Sequence, residues 1–283
     1  MILVFGRNGQ VARELARLAP KARFLSRAEA DLADPAACAA AIRALRPLAV
    51  INAAAWTAVD LAETHEAEAT VINGAAPAAM AEAAAERDVP MIQISSDYVF
   101  DGSGTRAWRP GDAPCPINAY GRSKRAGEVG VAAAGGRHAI LRTSWVFGAQ
   151  GANFVRTMLR IGTPGAHLRV VEDQIGGPTP ASDIARACLA MAEGLTLDPG
   201  LGGIHHLSGA PDVSWADFAR AIFAAAGQKD VTVKGIATAD WPTPAARPLN
   251  SRLECGTLAQ FGLTRPDWRR GLRAMLDDLK EAP

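Results

Sequence analysis

The chain has 283 residues, of which 49% are hydrophobic and 21% are charged, a composition that provides a globular protein with a large core. The formal net charge of +1 excludes an electrostatic basis for binding nucleic acid or an anionic membrane, and no apolar run is long enough to span a bilayer. The four cysteines are widely separated, which argues against a metal site or a disulfide framework and indicates a reduced, cytoplasmic protein: Cys38, Cys115, Cys188 and Cys255.

The first predicted unit is a strand, a glycine turn and a helix. The apolar run 2–5 is typical of a buried parallel strand. Gly6, Gly9 and Ala12 follow in the spacing G-x-x-G-x-x-A, and apolar residues recur at helical spacing from Val11. Two glycines allow a sharp turn and a close backbone approach to a ligand, while the N–H groups at the start of a helix attract a pyrophosphate. The position favours a dinucleotide site over a tight turn that binds nothing.

The second predicted strand, residues 22–25, bears on the choice of cofactor. In dinucleotide folds an acid near the end of this strand binds the ribose 2′-hydroxyl, whereas an arginine accommodates a 2′-phosphate. Here Ser26 and Arg27 follow the strand, and the glycine turn carries Arg7. The two arginines favour NADPH and leave NADH open, with solvated surface charges as the alternative. Asp31 could accept from the adenine amine or serve only as a turn residue.

Two further strands are predicted to end in small or polar residues. Residues 48–51 lead to the alanine run 53–55, which leaves room for a ligand at the end of a parallel strand. Residues 90–94 lead to Ser96 and Asp97. Hydroxyls at the carboxyl end of a central strand are placed for chemistry, or they cap the next turn.

Tyr120 and Lys124 are the pair on which the catalytic hypothesis depends. They lie four residues apart on a predicted helix and therefore share one face. A fixed ammonium beside a phenol favours the phenolate, which makes a proton donor usable near neutral pH. An isolated pair of this kind is usually a half-buried tyrosine beside a solvated lysine. Here it follows both a glycine turn and a strand-end serine, which favours a shared site.

Strands alternate with helices as far as the predicted strand 138–141, with one long helix expected over 62–87. This alternation predicts an α/β fold, a Rossmann-type doubly wound parallel sheet covered by helices on both faces. We expect residues 1–145 to form an NAD(P)-binding Rossmann domain. Residues 146–283 are expected to be mainly a smaller, interleaved C-terminal substrate lobe, with segments that return to the sheet.

Motifs along nearly the whole chain carry a resemblance to a known family. Beyond the glycine turn and the alanine run, they are Ser96-Asp97-Tyr98-Val99-Phe100, Tyr120-Gly121-x-x-Lys124, Arg142-Thr143-Ser144-Trp145-Val146, Asn153-Phe154, Asp173-Gln174 and Arg247-Pro248-x-Asn250-Ser251-Arg252. In this order they resemble the dTDP-4-dehydrorhamnose reductases of the extended short-chain dehydrogenase/reductase superfamily. The resemblance implies NAD(P)H-dependent reduction of the C4 keto group of dTDP-4-dehydro-L-rhamnose to dTDP-L-rhamnose, the last step of dTDP-rhamnose biosynthesis.

The resemblance also implies roles for single residues. Tyr120 would donate a proton to the C4 oxygen, Lys124 would contact the nicotinamide ribose and lower the pKa of Tyr120, and Ser96 would hydrogen-bond the same oxygen. Asp97 and Trp145 would contact the sugar, although Trp145 could instead be a core residue. Cofactor contacts are expected from Gly6, Arg7, Gly9, Gln10, Val11, Arg27, Asp31, Leu32, Ala53, Ala54, Ala55, Tyr120 and Lys124. For the substrate diphosphate the candidates are Asn153, Arg247 and Arg252, with packing between the lobes as the alternative reading.

Several interpretations stay open beside this one. The chain could reduce another nucleotide-linked 4-keto-6-deoxysugar, or act as a non-catalytic regulatory subunit resembling that of methionine adenosyltransferase. An epimerase or dehydratase with tightly held NAD⁺ is a third reading, since Asp97 lies beside the strand-end hydroxyl. Some relatives bind magnesium between subunits through acidic side chains. Glu14 is present, but Ser182 stands where a second acid is expected, so magnesium and a homodimer built on it stay open, and no metal ligand is assigned.

Overall fold

A computed structural model describes residues 1–281, so the last two residues of the predicted second lobe lie outside the described part. The strands in chain order are β1 Ile2–Phe5, β2 Arg23–Leu25, β3 Ala49–Asn52, β4 Met91–Ser96, β5 His138–Thr143, β6 Val146–Phe147, β7 His167–Val171, β8 Ile175–Gly176, β9 Thr179–Pro180, β10 Gly203–Leu207, β11 Val213–Ser214, β12 Thr232–Ile236 and β13 Asn250–Ser251. The helices are α1 Gln10–Leu18, α2 Pro35–Leu45, α3 Val59–Ala62, α4 Glu66–Thr70, α5 Ala76–Ala85, α6 Ala119–Ala133, α7 Phe154–Ile161, α8 Ala181–Leu197, α9 Trp215–Ala226 and α10 Trp268–Glu281.

The central sheet has six strands in the order β10-β5-β4-β3-β1-β2, and every neighbouring pair is parallel. From β1 the chain passes to β2 on one side and then to β3 on the other side. This reversal leaves a crevice beyond the carboxyl ends of β1 and β3, where open α/β sheets bind ligands. The predicted Rossmann-type α/β fold is confirmed.

Both faces of the sheet are covered by helices, which explains why β1 and the first three residues of β3 are an unbroken apolar run rather than an alternating one. Leu3 and Phe5 of β1 pack in a cluster with residues of α2 and α5, such as Ile42 and Met80. Val4 points to the other face and packs in a cluster with residues of α1 and α8. Successive side chains of a strand face opposite ways, so a strand buried on both sides favours apolar residues at successive positions.

The second half of the chain contributes both to this sheet and to a separate core. β10 pairs in parallel with β5 and completes one edge of the sheet. An aromatic cluster built on Phe147, Phe218 and Trp268 is packed with residues of α7, α9 and α10. Two short strands, β8 and β9, lie in the segment between β7 and α8. None of the described helices combines the length and the hydropathy that crossing a bilayer requires.

The segment between β3 and β4 differs from the expected single helix over 62–87. It contains α3, α4, a π-helical turn at Val71–Ala75 and then α5. The turn places the Asn73 side chain against the backbone of Trp56, accepting from its N–H at 2.9 Å and donating to its carbonyl at 3.0 Å. Asn73 also donates to Ser123 Oγ of α6 at 2.9 Å. Helical periodicity did not reveal the break, because the alanines on either side suit any helix face.

Candidate active site

A cavity of about 930 Å³ opens at the carboxyl ends of the central strands. A volume of this size is at the upper end of the range for small-molecule and cofactor sites. Most of the residues predicted to act at a site line it: Gly6, Arg7, Gly9, Gln10, Val11, Arg27, Asp31, Leu32, Ala53, Ala54, Ala55, Ser96, Asp97, Tyr120, Lys124 and Trp145. The fold therefore brings the glycine turn, the strand-end hydroxyl and the Tyr–Lys pair around one space.

The glycine turn fits the pyrophosphate of a dinucleotide. Gly6 has φ +102°, and a Cβ there would lie 3.2 Å from the carbonyl oxygen of Ala53. A side chain at this position would therefore be strained and crowded, which explains the glycine. No side chain caps α1 at Gly9, so the first N–H groups of the helix are directed at the cavity end without a side-chain acceptor. Such N–H groups bind phosphate oxygens.

Asp31 and Arg27 are engaged with one another at the end of the cavity near β2. Arg27 Nε donates to Asp31 Oδ2 at 3.0 Å, while the other Asp31 oxygen accepts from the backbone N–H of Ala33 at 3.0 Å. The Ala33 hydrogen bond, and then Arg27, lower the pKa of Asp31 below its usual range. Asp31 is therefore ionised at neutral pH, and its two oxygens keep spare lone pairs for a further donor.

Tyr120 and Lys124 are held by α6, which begins where Asn118 Oδ1 accepts from the N–H of Gly121 at 2.7 Å. Lys124 is 4% exposed, and its Nζ donates to the carbonyl of Ile94 at 2.7 Å. Burial lowers the pKa of Lys124 to about 8. Burial also raises the pKa of Tyr120 to about 12, against a smaller lowering by Ser96. The groups that shift this pKa do not include Lys124, whose ammonium bonds a backbone carbonyl.

Ser96 and Asp97 form a buried polar pair at the end of β4. Ser96 Oγ donates to Asp97 Oδ1 at 3.0 Å, and burial raises the pKa of Asp97 to about 6. Within residues 1–281, Asp97 Oδ2 and Thr143 Oγ1 are buried without a hydrogen-bond partner. Both residues line the cavity, so these unpaired atoms indicate where a ligand would bond. Thr143 was not predicted, although its place at the end of β5 was a signal.

Two tryptophans, Trp145 and Trp215, line one wall of the cavity. Trp145 has φ +48°, a strained backbone conformation for a large side chain. Its ring stacks on that of Trp215, with centroids 3.6 Å apart and planes at 11°. Flat aromatic faces suit the apolar face of a deoxysugar. Trp215 was missed because it reads in sequence as the first residue of an amphipathic helix.

Asn153 does not line the cavity, although it was predicted to meet the diphosphate. Its Oδ1 caps α7 by accepting from the N–H of Arg156 at 3.1 Å. Its Nδ2 donates to Gln10 Oε1 at 2.9 Å and to the carbonyl of Gly148 at 2.8 Å. In this conformation Asn153 therefore ties the start of α7 to the glycine turn rather than presenting its amide to the cavity.

Arg247 and Arg252 also lie outside the cavity lining. Arg247 forms an ion pair with Asp60 of α3 at 2.8 Å. Arg252 Nη1 donates to Asn250 Oδ1 at 2.9 Å. Each guanidinium thus has an acceptor within the chain, which the spacing of the motif alone did not reveal.

Glu14 of α1 is the acidic residue for which a magnesium ion between subunits was left open in the sequence. Glu14 forms an ion pair with Arg17 at 2.9 Å. Asp183 has a raised pKa, chiefly because of burial and to a lesser degree because of the Glu14 charge. Among residues 1–281, no three His, Cys, Asp or Glu side chains lie close enough to hold an ion.

The family model described as RmlD substrate binding domain matches residues 1–281. The chain belongs to this RmlD family. A dTDP-4-dehydrorhamnose reductase of Sinorhizobium fredii is 42% identical to it, over 97% of this chain and 96% of the relative.

Solved structures give the same result for this RmlD-family chain. A dTDP-4-dehydrorhamnose reductase from Clostridium acetobutylicum is similar with a TM-score of 0.91 at 34% identity, covering 99% of both chains. Another from Bacillus anthracis, solved in complex with NADP, is similar with a TM-score of 0.90 at 33% identity, covering 98% of both chains. The family predicted from the sequence motifs is confirmed.

Proposed function

We propose that this chain catalyses the NADPH-dependent reduction of the C4 keto group of dTDP-4-dehydro-L-rhamnose to dTDP-L-rhamnose. The observation that carries the proposal is a single cavity in which Ser96, Tyr120 and Lys124 lie beyond a glycine turn fit for a dinucleotide. Relatives matched over nearly their full length are named dTDP-4-dehydrorhamnose reductase, and one solved relative is a complex with NADP. We also propose that residues 1–145 bind mainly the cofactor and residues 146–283 mainly the sugar nucleotide.

Tyr120 is the proton donor in this proposal. When bound, NADPH would supply a hydride to the C4 carbon. The oxygen on that carbon then gains negative charge, and Tyr120 donates its phenolic proton to it. Because burial raises the pKa of Tyr120 to about 12, the phenol stays protonated at neutral pH, as a general acid for reduction requires.

Ser96 and Lys124 support this proton transfer from two sides. The Ser96 hydroxyl donates to Asp97 in the present conformation and would turn to donate to the C4 oxygen. A hydroxyl aimed at developing charge contributes on the order of 2–4 kcal/mol. The Lys124 ammonium, fixed by the carbonyl of Ile94, is placed to hold the ribose of the cofactor near Tyr120.

The sugar and the diphosphate have separate candidates. Trp145 and Trp215 offer an apolar face for the deoxysugar. Arg247 remains the candidate for the diphosphate. Its guanidinium would leave the Asp60 carboxylate and bond a phosphate oxygen instead. Such an exchange replaces one charge-assisted hydrogen bond by another.

The test is consumption of reduced nicotinamide by the purified chain, with dTDP-4-dehydro-L-rhamnose as substrate and NADPH and NADH in parallel. We expect oxidation with formation of dTDP-L-rhamnose, identified by chromatography against a standard. A second 4-keto-6-deoxysugar nucleotide serves as the specificity control. A folded protein that binds NADPH but oxidises it with neither sugar would contradict the proposal and favour the regulatory-subunit alternative.

A further inference from the structure

We propose that Glu29 is a cofactor-discriminating residue, whose carboxylate occupies hydrogen-bond donors that a ribose 2′-phosphate would otherwise use and so weakens binding of NADPH relative to NADH. The inference rests on the proposed use of a nicotinamide cofactor and adds the residue that tunes the choice between its two forms.

The carboxylate of Glu29 accepts hydrogen bonds from several donors of the loop after β2 and from Arg23. Its Oε2 accepts from the backbone N–H of Ser26 at 2.8 Å and from Ser26 Oγ at 2.7 Å. Its Oε1 accepts from Arg23 Nη2 at 2.6 Å. A backbone N–H, a hydroxyl and a guanidinium are the donors that bind phosphate oxygens in proteins. These three donors are therefore engaged by a carboxylate of the chain itself.

The carboxylate is charged at neutral pH. The backbone and side-chain hydrogen bonds from Ser26 lower the pKa of Glu29 below its usual range, and the charges of Arg23 and Arg7 act in the same direction. Ser26, Arg27 and Arg7 line the cavity. The donor Ser26 therefore lies at the wall where the adenosine ribose would lie, next to the end of β2.

The charges around this loop indicate how Glu29 changes the binding of a 2′-phosphate relative to a 2′-hydroxyl. Arg27 is paired with Asp31 and Arg23 with Glu29, whereas Arg7 forms no ion pair within residues 1–281. Three guanidinium groups thus face two carboxylates, which leaves a weak net positive charge for a phosphate dianion. A 2′-hydroxyl carries no charge and is little affected by this balance.

Replacing Glu29 by glutamine tests the inference, because the amide keeps the shape but removes the charge, so it competes less strongly with a phosphate for Ser26 and Arg23. Dissociation constants for NADPH and NADH are measured by titration calorimetry without any sugar. Adenosine 2′,5′-bisphosphate and adenosine 5′-monophosphate are measured in the same way. The matched control is Glu86→Gln, which removes an exposed carboxylate paired with Arg43 at 2.6 Å, remote from the cavity lining.

We expect Glu29→Gln to tighten binding of NADPH and of adenosine 2′,5′-bisphosphate by about threefold to tenfold, with NADH changed by less than about twofold. Glu86→Gln should change neither. Equal shifts for NADPH and NADH, or weaker NADPH binding, would overturn the inference and leave the proposed reductase intact. An unsubstituted chain that binds neither nucleotide would overturn both, so the two failures are distinguishable.

Discussion

Burial sets the acidity of Tyr120 more strongly than its lysine neighbour does. A phenol with a pKa of about 12 stays protonated at neutral pH, so Tyr120 carries the proton that reduction needs. Lys124 sits one turn further along the same helix, yet its ammonium bonds the carbonyl of Ile94. Replacing Tyr120 and replacing Lys124 are therefore expected to have different effects on kcat and on cofactor binding.

For Tyr120→Phe we predict a fall in kcat of at least about 100-fold with NADPH affinity nearly unchanged, because only the proton donor is lost. The chain offers a matched control, since its second tyrosine, Tyr98, also lines the cavity and packs edge-on against Tyr120 with centroids 5.6 Å apart. Tyr98→Phe should keep most of the kcat. Steady-state kinetics and calorimetry separate these effects, and full turnover by Tyr120→Phe would contradict the proton-donor role.

For Lys124→Met we predict weaker NADPH binding together with a lower kcat, because the variant loses the cation that would hold the ribose near Tyr120. The measurement is the dissociation constant of NADPH beside single-turnover rates. Thermal unfolding of the same samples shows whether the loss of the Ile94 hydrogen bond alone explains the change. A stable variant with normal affinity and rate would show that Lys124 takes no part in the site.

Most of the residues predicted from the sequence line the cavity, whereas the diphosphate candidates Asn153, Arg247 and Arg252 do not. Ser96, Tyr120 and Lys124 were found because their spacing in strands and helices determines where they point. Arg247 and Asn153 were taken from the family motifs and from the chemistry that a diphosphate requires. Whether such a side chain faces a ligand depends on acceptors far away in sequence, such as Asp60, and a single sequence does not show them.

Among the elements, α6 is tied to the sheet by one fully buried carboxylate. Glu128 accepts from Arg142 of β5 through two hydrogen bonds of 2.7 Å and from Ser95 of β4 at 2.7 Å. The side chains of Glu128 and Arg142 are 0% exposed. This contact joins the helix that carries Lys124 to the strands that end at the cavity.

We therefore predict that Glu128→Gln lowers the free energy of unfolding by about 3–5 kcal/mol, because it leaves the Arg142 charge buried without its partner. The same helix provides the control, since Arg122 pairs with Glu66 of α4 at 2.7 Å with both side chains over 40% exposed. Glu66→Gln should cost less than about 1 kcal/mol. Urea titrations of both variants measure the two losses of unfolding free energy. Equal losses would show that removing a partner from the buried ion pair costs no more than removing one from the exposed pair.

Capping residues in the sequence mark where some of the helices begin. The Asn118 cap of α6 and the Ser214 cap of α9 mark their starts in the sequence as well as in the structure. The π-helical turn at Val71–Ala75 carries no such signal. Its conformation depends on the close approach of α6, where a Cβ at Gly127 would lie 2.1 Å from the carbonyl oxygen of Asn73.

For the whole molecule, buried His206 makes stability depend on pH. Burial, helped by Arg142, lowers its pKa to about 3 from an ordinary value of 6.5. Between these values the unfolded chain binds a proton that the folded chain does not, so stability rises with pH through this window and is lost as pH falls. Asp97 acts in the opposite direction between about 4 and 6, since its pKa is raised.

We predict that His206→Gln shifts the slope of the unfolding free energy against pH toward negative values between about pH 4 and 6.5, because the positive contribution of His206 is lost. Urea titrations at a series of pH values measure the slope. His167→Gln, at an exposed position of β7, should leave the slope unchanged. If the His206→Gln slope equals that of the original chain, the acid sensitivity arises from other groups.

The pairing of β10 with β5 has a consequence for how the protein is made. Five consecutive residue pairs join these strands, from Gly203 with Ala139 to Leu207 with Thr143. A ribosome delivers β5 well before β10, and until then the backbone N–H and C=O groups on the outer edge of β5 have no strand to bond. An open edge of this kind pairs readily with other chains. A gene product that stops at residue 145 would keep that edge open.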